Sequence, residues 1–337
     1  MSEPFIPDAA VTGIGSLPFT DPEEAVRFVA TVCPELPFWP QLPRRATQEG
    51  MIEQALYPAL DLFAPRSPQF GYRLLENKRA ELLERWRTIE PQLDERAASG
   101  FWALDKALDA GQFPHTRALK GQIVGPITLG HALFDGETPF VLDTRLFDEV
   151  SQFISRVAVW QIKRLRRWGF PVMIFLDEPT APLIQQLPLD RRIPILEGLQ
   201  SVVMAIKSAG ALAGLHCCAL SPTASSLVAG DPDILSLDVS QDISPLREPV
   251  ARTFLAGGGL IAYGIVPTLA ALQQADSSPL FAHWLLAVAE LGDMRLVARQ
   301  SLITATCGLG LLSASDAWKS FTLAQQTGDL VRSVARS

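Results

Sequence analysis

The chain of 337 residues is predicted to fold as an α/β protein, a single (β/α)8 TIM barrel with an insertion between its second and third strands. Three observations predict this. Short apolar, β-rich runs alternate with stretches of helical periodicity, the pattern of a parallel α/β fold. Eight such runs can be counted, at 10–17, 38–42, 119–127, 172–178, 212–218, 234–239, 260–266 and 302–307. The chain is also longer than the roughly 250 residues typical of such barrels, which leaves room for an excursion. An open doubly wound sheet is the alternative architecture with the same alternation.

The intervening helices carry their own punctuation. Asp21 is a good N-cap, Pro22 fits the first helical position, Glu23 and Glu24 complement the positive helix end, and Pro34 stops the helix. Between 146 and 168, Leu146, Val150, Phe153, Val157 and Trp160 recur at helical spacing, Arg164 and Arg167 follow, and Gly169 closes the helix. The segment 195–206 repeats the pattern and ends at Gly210, an apolar helix surrounds His283 and Trp284, and 316–330 supplies the last. The connection 43–118 is too long for one barrel helix. With its charged helical stretch at 76–89, it reads as an excursion packed on the barrel, so that 1–337 forms one domain.

Composition excludes several functions. Charged residues make up 19% of the chain, no apolar run approaches the roughly 20 residues of a membrane span, and Met1-Ser2-Glu3-Pro4 does not begin a signal sequence. A cytoplasmic protein is expected. The net charge is −7 and the basic residues are scattered, apart from Arg164, Arg166 and Arg167 on one helix, so no nucleic-acid footprint exists. Cys33, Cys217, Cys218 and Cys307 are expected to be reduced, and metal binding or catalysis suits them better than disulfides.

Gly214-Leu215-His216-Cys217-Cys218 ends an apolar strand. Side chains alternate along a strand, so His216 and Cys218 share a face and Cys217 takes the other. An imidazole and a thiolate at a barrel mouth are half of a zinc site; a buried histidine beside small apolar cysteines is the plainer alternative. Asp238 and Cys307 stand at two further strand ends, and in a barrel such ends converge on one face. His216, Cys218, Asp238 and Cys307 are thus the candidate metal ligands. Asp177-Glu178-Pro179 places two acids after the apolar run 174–176, where an unpaired buried carboxylate is costly. Asp177 is placed to bind a cationic amine, and a helix N-cap is the structural alternative. Ile14-Gly15-Ser16 and Gly125-Pro126-Ile127-Thr128 are turns whose backbone a ligand could approach.

Taken in order, Ile14-Gly15-Ser16 with Pro18, Gly125-Pro126-Ile127-Thr128, Asp177-Glu178-Pro179, His216-x-Cys218, Asp238 and Cys307-Gly308-Leu309 resemble the catalytic C-terminal barrel of the cobalamin-independent methionine synthase family. The resemblance implies Zn2+ held by His216, Cys218 and Cys307, with Asp238 standing where the family has a glutamate. It implies homocysteine as substrate, its amine on Asp177 and its carboxylate at the backbone of Ile14 and Ser16, with Glu49 the equivalent of a second amine-binding carboxylate. Zinc would keep the substrate thiol deprotonated as a nucleophile. A free-standing barrel resembles the shortened, folate-independent (core) methionine synthases, which implies a methylcorrinoid protein as methyl donor and partner. Two other readings stand beside it. One is a uroporphyrinogen-decarboxylase-like barrel that methylates a thiol of the coenzyme M type; the other is a non-catalytic zinc- or corrinoid-binding barrel.

Overall fold

A computed structural model describes residues 5–218 and 224–336. In chain order its strands are β1 (Ala10–Val11), β2 (Phe63–Pro65), β3 (Tyr72–Leu74), β4 (Leu119–Val124), β5 (Leu133–Asp135), β6 (Thr138–Pro139), β7 (Val172–Asp177), β8 (Leu212–Cys217), β9 (Ile234–Asp238), β10 (Leu260–Val266) and β11 (Ser301–Ala305). Seven of them form a curled parallel sheet in the order β1-β11-β10-β9-β8-β7-β4. The expected strand 38–42 is present as two isolated parallel bridges, Ser16 with Gln41 beside one sheet edge and Phe38 with Lys120 on the other. Pro37, Pro40 and Pro43 punctuate this segment, and a proline has no N–H to give to a ladder. The bridges lie where an eighth strand of a closed barrel would run.

Other expected strands are also trimmed. The run 10–17 forms a ladder only over Ala10–Val11, because Leu17 N–H donates to the Gln41 carbonyl instead. The run 119–127 ends at Val124, and Gly125-Pro126 opens a helix, Pro126–Ala132. Proline at the first helical position lacks only an N–H that would be unpaired there anyway. The first long helix, Pro22–Val32, starts as expected, with the Asp21 carboxylate accepting from the N–H groups of Glu23 and Glu24.

The strands sort their side chains by alternation. Ala10, Met173, Phe175, Ile234, Leu260, Ala262 and Leu302 pack into one small apolar cluster inside the curl of the sheet. Their neighbours in the chain, among them Ile174, Leu176, Leu235, Ile261 and Ile303, join the large outer core with the helices. Moving two residues toward the strand ends on the inner face, the apolar floor gives way to Thr12, Asp177, His216, Ser236 and Thr304, all buried.

The excursion packs on the barrel helices. The helix Arg79–Thr88 corresponds to the charged stretch expected at 76–89, and its Trp86 stacks on Phe153 of the helix Thr144–Leu165, ring centroids 5.3 Å apart. Asp105 of the helix Ser99–Asp109 receives Arg164 at 2.6 Å. β2 and β3 form a hairpin that continues through β5 to β6 as a small four-stranded sheet, tying the excursion to the residues after β4. Among the described residues no helix is long and apolar enough to cross a membrane.

Candidate metal centre

His216, near the end of β8, Cys218 just beyond it and Cys307 just beyond β11 converge, their ligand atoms all lying within 4.8 Å of one another. The strand phase has the expected result, since Cys217, between two of them, is buried in the outer core. His216 Nδ1 lies 2.9 Å from Ser236 Oγ on the neighbouring strand β9, while Nε2 is buried without a hydrogen-bond partner. With Nδ1–H donating to the hydroxyl, the ring is held in the tautomer whose Nε2 lone pair is free for a metal. The sulfurs of Cys218 and Cys307 are hydrogen-bonded to each other at 3.3 Å. Sharing that bond and facing His216, Cys307 is pulled well below the usual thiol range, and Cys218, its partner in the bond, is pushed up. Zinc is held by imidazole nitrogen and thiolate sulfur, and one nitrogen with two sulfurs converging at one point suits that ion in number and softness.

Asp238 does not join this group. It ends β9 and its Oδ1 accepts from Ser240 N–H at 2.9 Å and Ser240 Oγ at 2.8 Å. Glu49 is buried in the excursion, where Oε1 accepts from Ser99 Oγ at 2.5 Å and pairs with Arg45 at 3.1 Å, while Oε2 has no partner. Ser99 and Arg45 also line a cavity of about 690 Å3 between the helices Pro22–Val32 and Ser99–Asp109.

The two adjacent acids after β7's apolar run separate cleanly. Glu178 is fully buried, and its carboxylate accepts from Ile127 N–H (2.9 Å), Thr128 N–H (2.7 Å) and Thr128 Oγ (2.7 Å), so it caps the helix Pro126–Ala132. Burial pushes its carboxyl up to about 7 against those hydrogen bonds. Gly125 is required for this approach, because a Cβ there would lie 2.1 Å from Glu178 Oε1. The helix-cap role thus belongs to Glu178, toward the helix after β4. Asp177 is the inward acid. It stands in register with His216, and its Oδ1 is buried without a partner. Burial raises its carboxyl, opposed by the charges of His216 and Lys120.

The turn Ile14-Gly15-Ser16 reaches the same place from β1. Leu309 N–H donates to the Ser16 carbonyl at 2.8 Å, which seats the turn against Cys307-Gly308. The Ile14 carbonyl accepts from Lys120 Nζ at 2.7 Å. Lys120 and Gln122 were not among the candidates from sequence, yet both lie buried on the inner face. A signal was present: β4 reads Leu-Lys-Gly-Gln-Ile-Val, with polar residues two apart, where a strand buried on both faces ordinarily reads as continuous apolar sequence. Ser236 likewise sits between two leucines in β9.

The fold is shared with a B12-independent methionine synthase. The protein, from Shewanella sp. W3-18-1 and solved in complex with selenomethionine, aligns with 96% of this chain and 98% of its own at a TM-score of 0.62 and 12% identity. A putative vitamin-B12-independent methionine synthase from Listeria monocytogenes aligns over 94% of this chain and 84% of its own, with 15% identity and a TM-score of 0.49. No family model matches the chain, and no curated protein matches it. At 12% identity the Shewanella likeness establishes the architecture, and the chemistry has to be argued from the residues themselves.

The geometry predicts about one zinc per chain, measurable by atomic emission on the purified protein. Cys218→Ser and Cys307→Ser should each lose it, and Cys217→Ser, altered on the outer face, should retain it. Equal zinc loss in all three variants would contradict the assigned strand phase.

Proposed function

We propose that the chain is a zinc-dependent methyltransferase that methylates homocysteine to methionine, with a methylcorrinoid protein as donor. The observation that carries this reading is the unpaired Nε2 of His216 facing a pair of cysteine sulfurs beside an unpaired buried carboxylate oxygen of Asp177. His216, Cys218 and Cys307 would hold the ion, which when bound lowers the pKa of a substrate thiol and so presents it as a nucleophile. Three protein ligands leave a tetrahedral ion one position for that thiol. Asp238, whose Oδ1 is held by Ser240, stands outside that set.

The remaining work falls to the chain. Ser236 fixes the imidazole so that Nε2 faces the sulfurs. Asp177, one strand away from His216 and anionic when paired with a cation, would receive the substrate ammonium. The turn at Ile14 and Ser16 lies beside Cys307 on the other side, where it would receive the carboxylate. A thiol anchored at both ends has few orientations left, and this positioning supplies much of the rate. The buried floor of Met173, Phe175, Ala262 and Leu302 closes the pocket from below and excludes water.

The donor assignment rests on charge. A folate carrying several glutamates is a polyanion and calls for a cationic surface, but Arg44 donates to the Leu311 carbonyl and Arg45 pairs with Glu49, in a chain of net charge −7. The solved neighbour is named for its independence of B12, which runs against a corrinoid donor, so the two donors are compared directly.

Two outcomes are expected. Asp177→Asn should weaken homocysteine binding by roughly 1.5–3 kcal/mol, the range for a hydrogen bond to a charged group, and leave zinc content intact; unchanged affinity would remove Asp177 from this role. With methylcobalamin and methyltetrahydrofolate compared side by side, methionine should form with loss of the methylcobalamin spectrum and little should form from the folate. Efficient zinc-dependent turnover with methyltetrahydrofolate in corrinoid-free protein would overturn the donor and leave the thiolate chemistry standing.

A further inference from the structure

Lys120 is buried inside the curl of the sheet, an unusual place for an ammonium. Its Nζ donates to the Ile14 carbonyl at 2.7 Å and to Gln122 Oε1 at 3.1 Å, and it lies 4.7 Å from the centre of the Phe175 ring. These are neutral partners. Burial lowers its pKa to about 7, opposed by the charge of Asp177. The Gln122 amide is itself fixed, because Nε2 donates to the Trp39 carbonyl at 2.8 Å. The turn above is packed onto this assembly so tightly that a Cβ on Gly15 would lie 2.5 Å from Gln41 Oε1 and 3.0 Å from the Gln122 amide.

The bond from Lys120 has a geometric consequence. In a trans peptide the C=O and the following N–H point in opposite directions. Holding the Ile14 carbonyl down on Nζ therefore turns the Gly15 N–H away from Lys120. The next carbonyl but one, on Ser16, is held by Leu309 N–H at the metal centre. Among the described residues the Gly15 and Ser16 N–H groups have no protein acceptor. Backbone donors in front of a buried positive charge make a site for an anion, and a bound anion would in turn favour the protonated lysine.

We propose that Lys120 is a positioning residue that makes the pocket selective for thiols bearing a carboxylate, by clamping the Ile14-Gly15-Ser16 turn and standing behind it as its ammonium when an anion binds. This rests on the thiol-binding reading above and adds what recognises the far end of the substrate. A lysine that merely fills space would show no preference among thiols.

Cobalt-substituted protein tests this without any methyl donor, since thiolate binding to cobalt gives a visible absorption band. The two probes are homocysteine and 3-mercaptopropylamine, the same thiol and amine without the carboxylate. Wild-type protein should bind homocysteine at least tenfold more tightly. In Lys120→Met, which keeps side-chain length without charge, homocysteine should weaken at least tenfold, 3-mercaptopropylamine should stay within twofold, and metal content should not change. A wild type without preference, which needs no variant to observe, overturns the proposal. So does a preference that survives in Lys120→Met, or equal weakening of both probes. No thiolate band from either probe in the wild type would instead refute the thiol-binding reading itself.

Discussion

Side-chain alternation along parallel strands is the constraint on which the site depends. The outer face of every strand must meet the helices, so Ile174, Leu176, Leu215, Leu235, Ile261 and Ile303 are committed to the large core. Their alternates have to face inward whatever their chemistry. At the floor these are apolar and make a dry cluster; toward the strand ends they become Asp177, His216 and Ser236, with Lys120 and Gln122 reaching up from β4. Slipping any one strand by a residue would move its polar groups into the helix layer and its apolar groups into the pocket. The stability of the outer core therefore fixes the geometry of the inner one.

Buried charges then divide by how they are satisfied. Glu178 has three donors from Ile127 and Thr128 and acts as a helix cap. Lys120 has two oxygen acceptors and organises a turn. Asp177 Oδ1 and His216 Nε2 have none, and burying such groups unpaired costs on the order of 1–3 kcal/mol each. A protein carries that cost where a ligand will supply the partner. The unpaired groups lie next to each other in register across β7 and β8, an arrangement that supports the proposed cation and metal sites.

Much of this was legible in the sequence because period-two patterning and strand-end position are local. His216, Cys218 and Cys307 could be assigned to one face before any coordinates, and Asp21 and Pro22 gave the first helix its start. What could not be read was non-local. The helix-cap alternative raised for the acids after β7 belongs to Glu178, whose carboxylate reaches across to the helix after β4, a relation only the sheet order reveals. Asp238 matched in order, as an acid where the family has a glutamate; its Oδ1 bonds locally to Ser240, a competition typical of short acidic side chains. The proline-punctuated segment near Phe38 reads as a strand by hydrophobicity and forms only bridges.

The central claim is that a histidine nitrogen and two cysteine sulfurs hold a zinc that takes the substrate thiol as a further ligand. X-ray absorption at the zinc edge, with and without homocysteine, reads it directly. The account predicts one imidazole nitrogen and two sulfurs at zinc in the protein alone, and a third sulfur on adding homocysteine. A first coordination sphere without sulfur, or a sulfur count that homocysteine leaves unchanged, would contradict it.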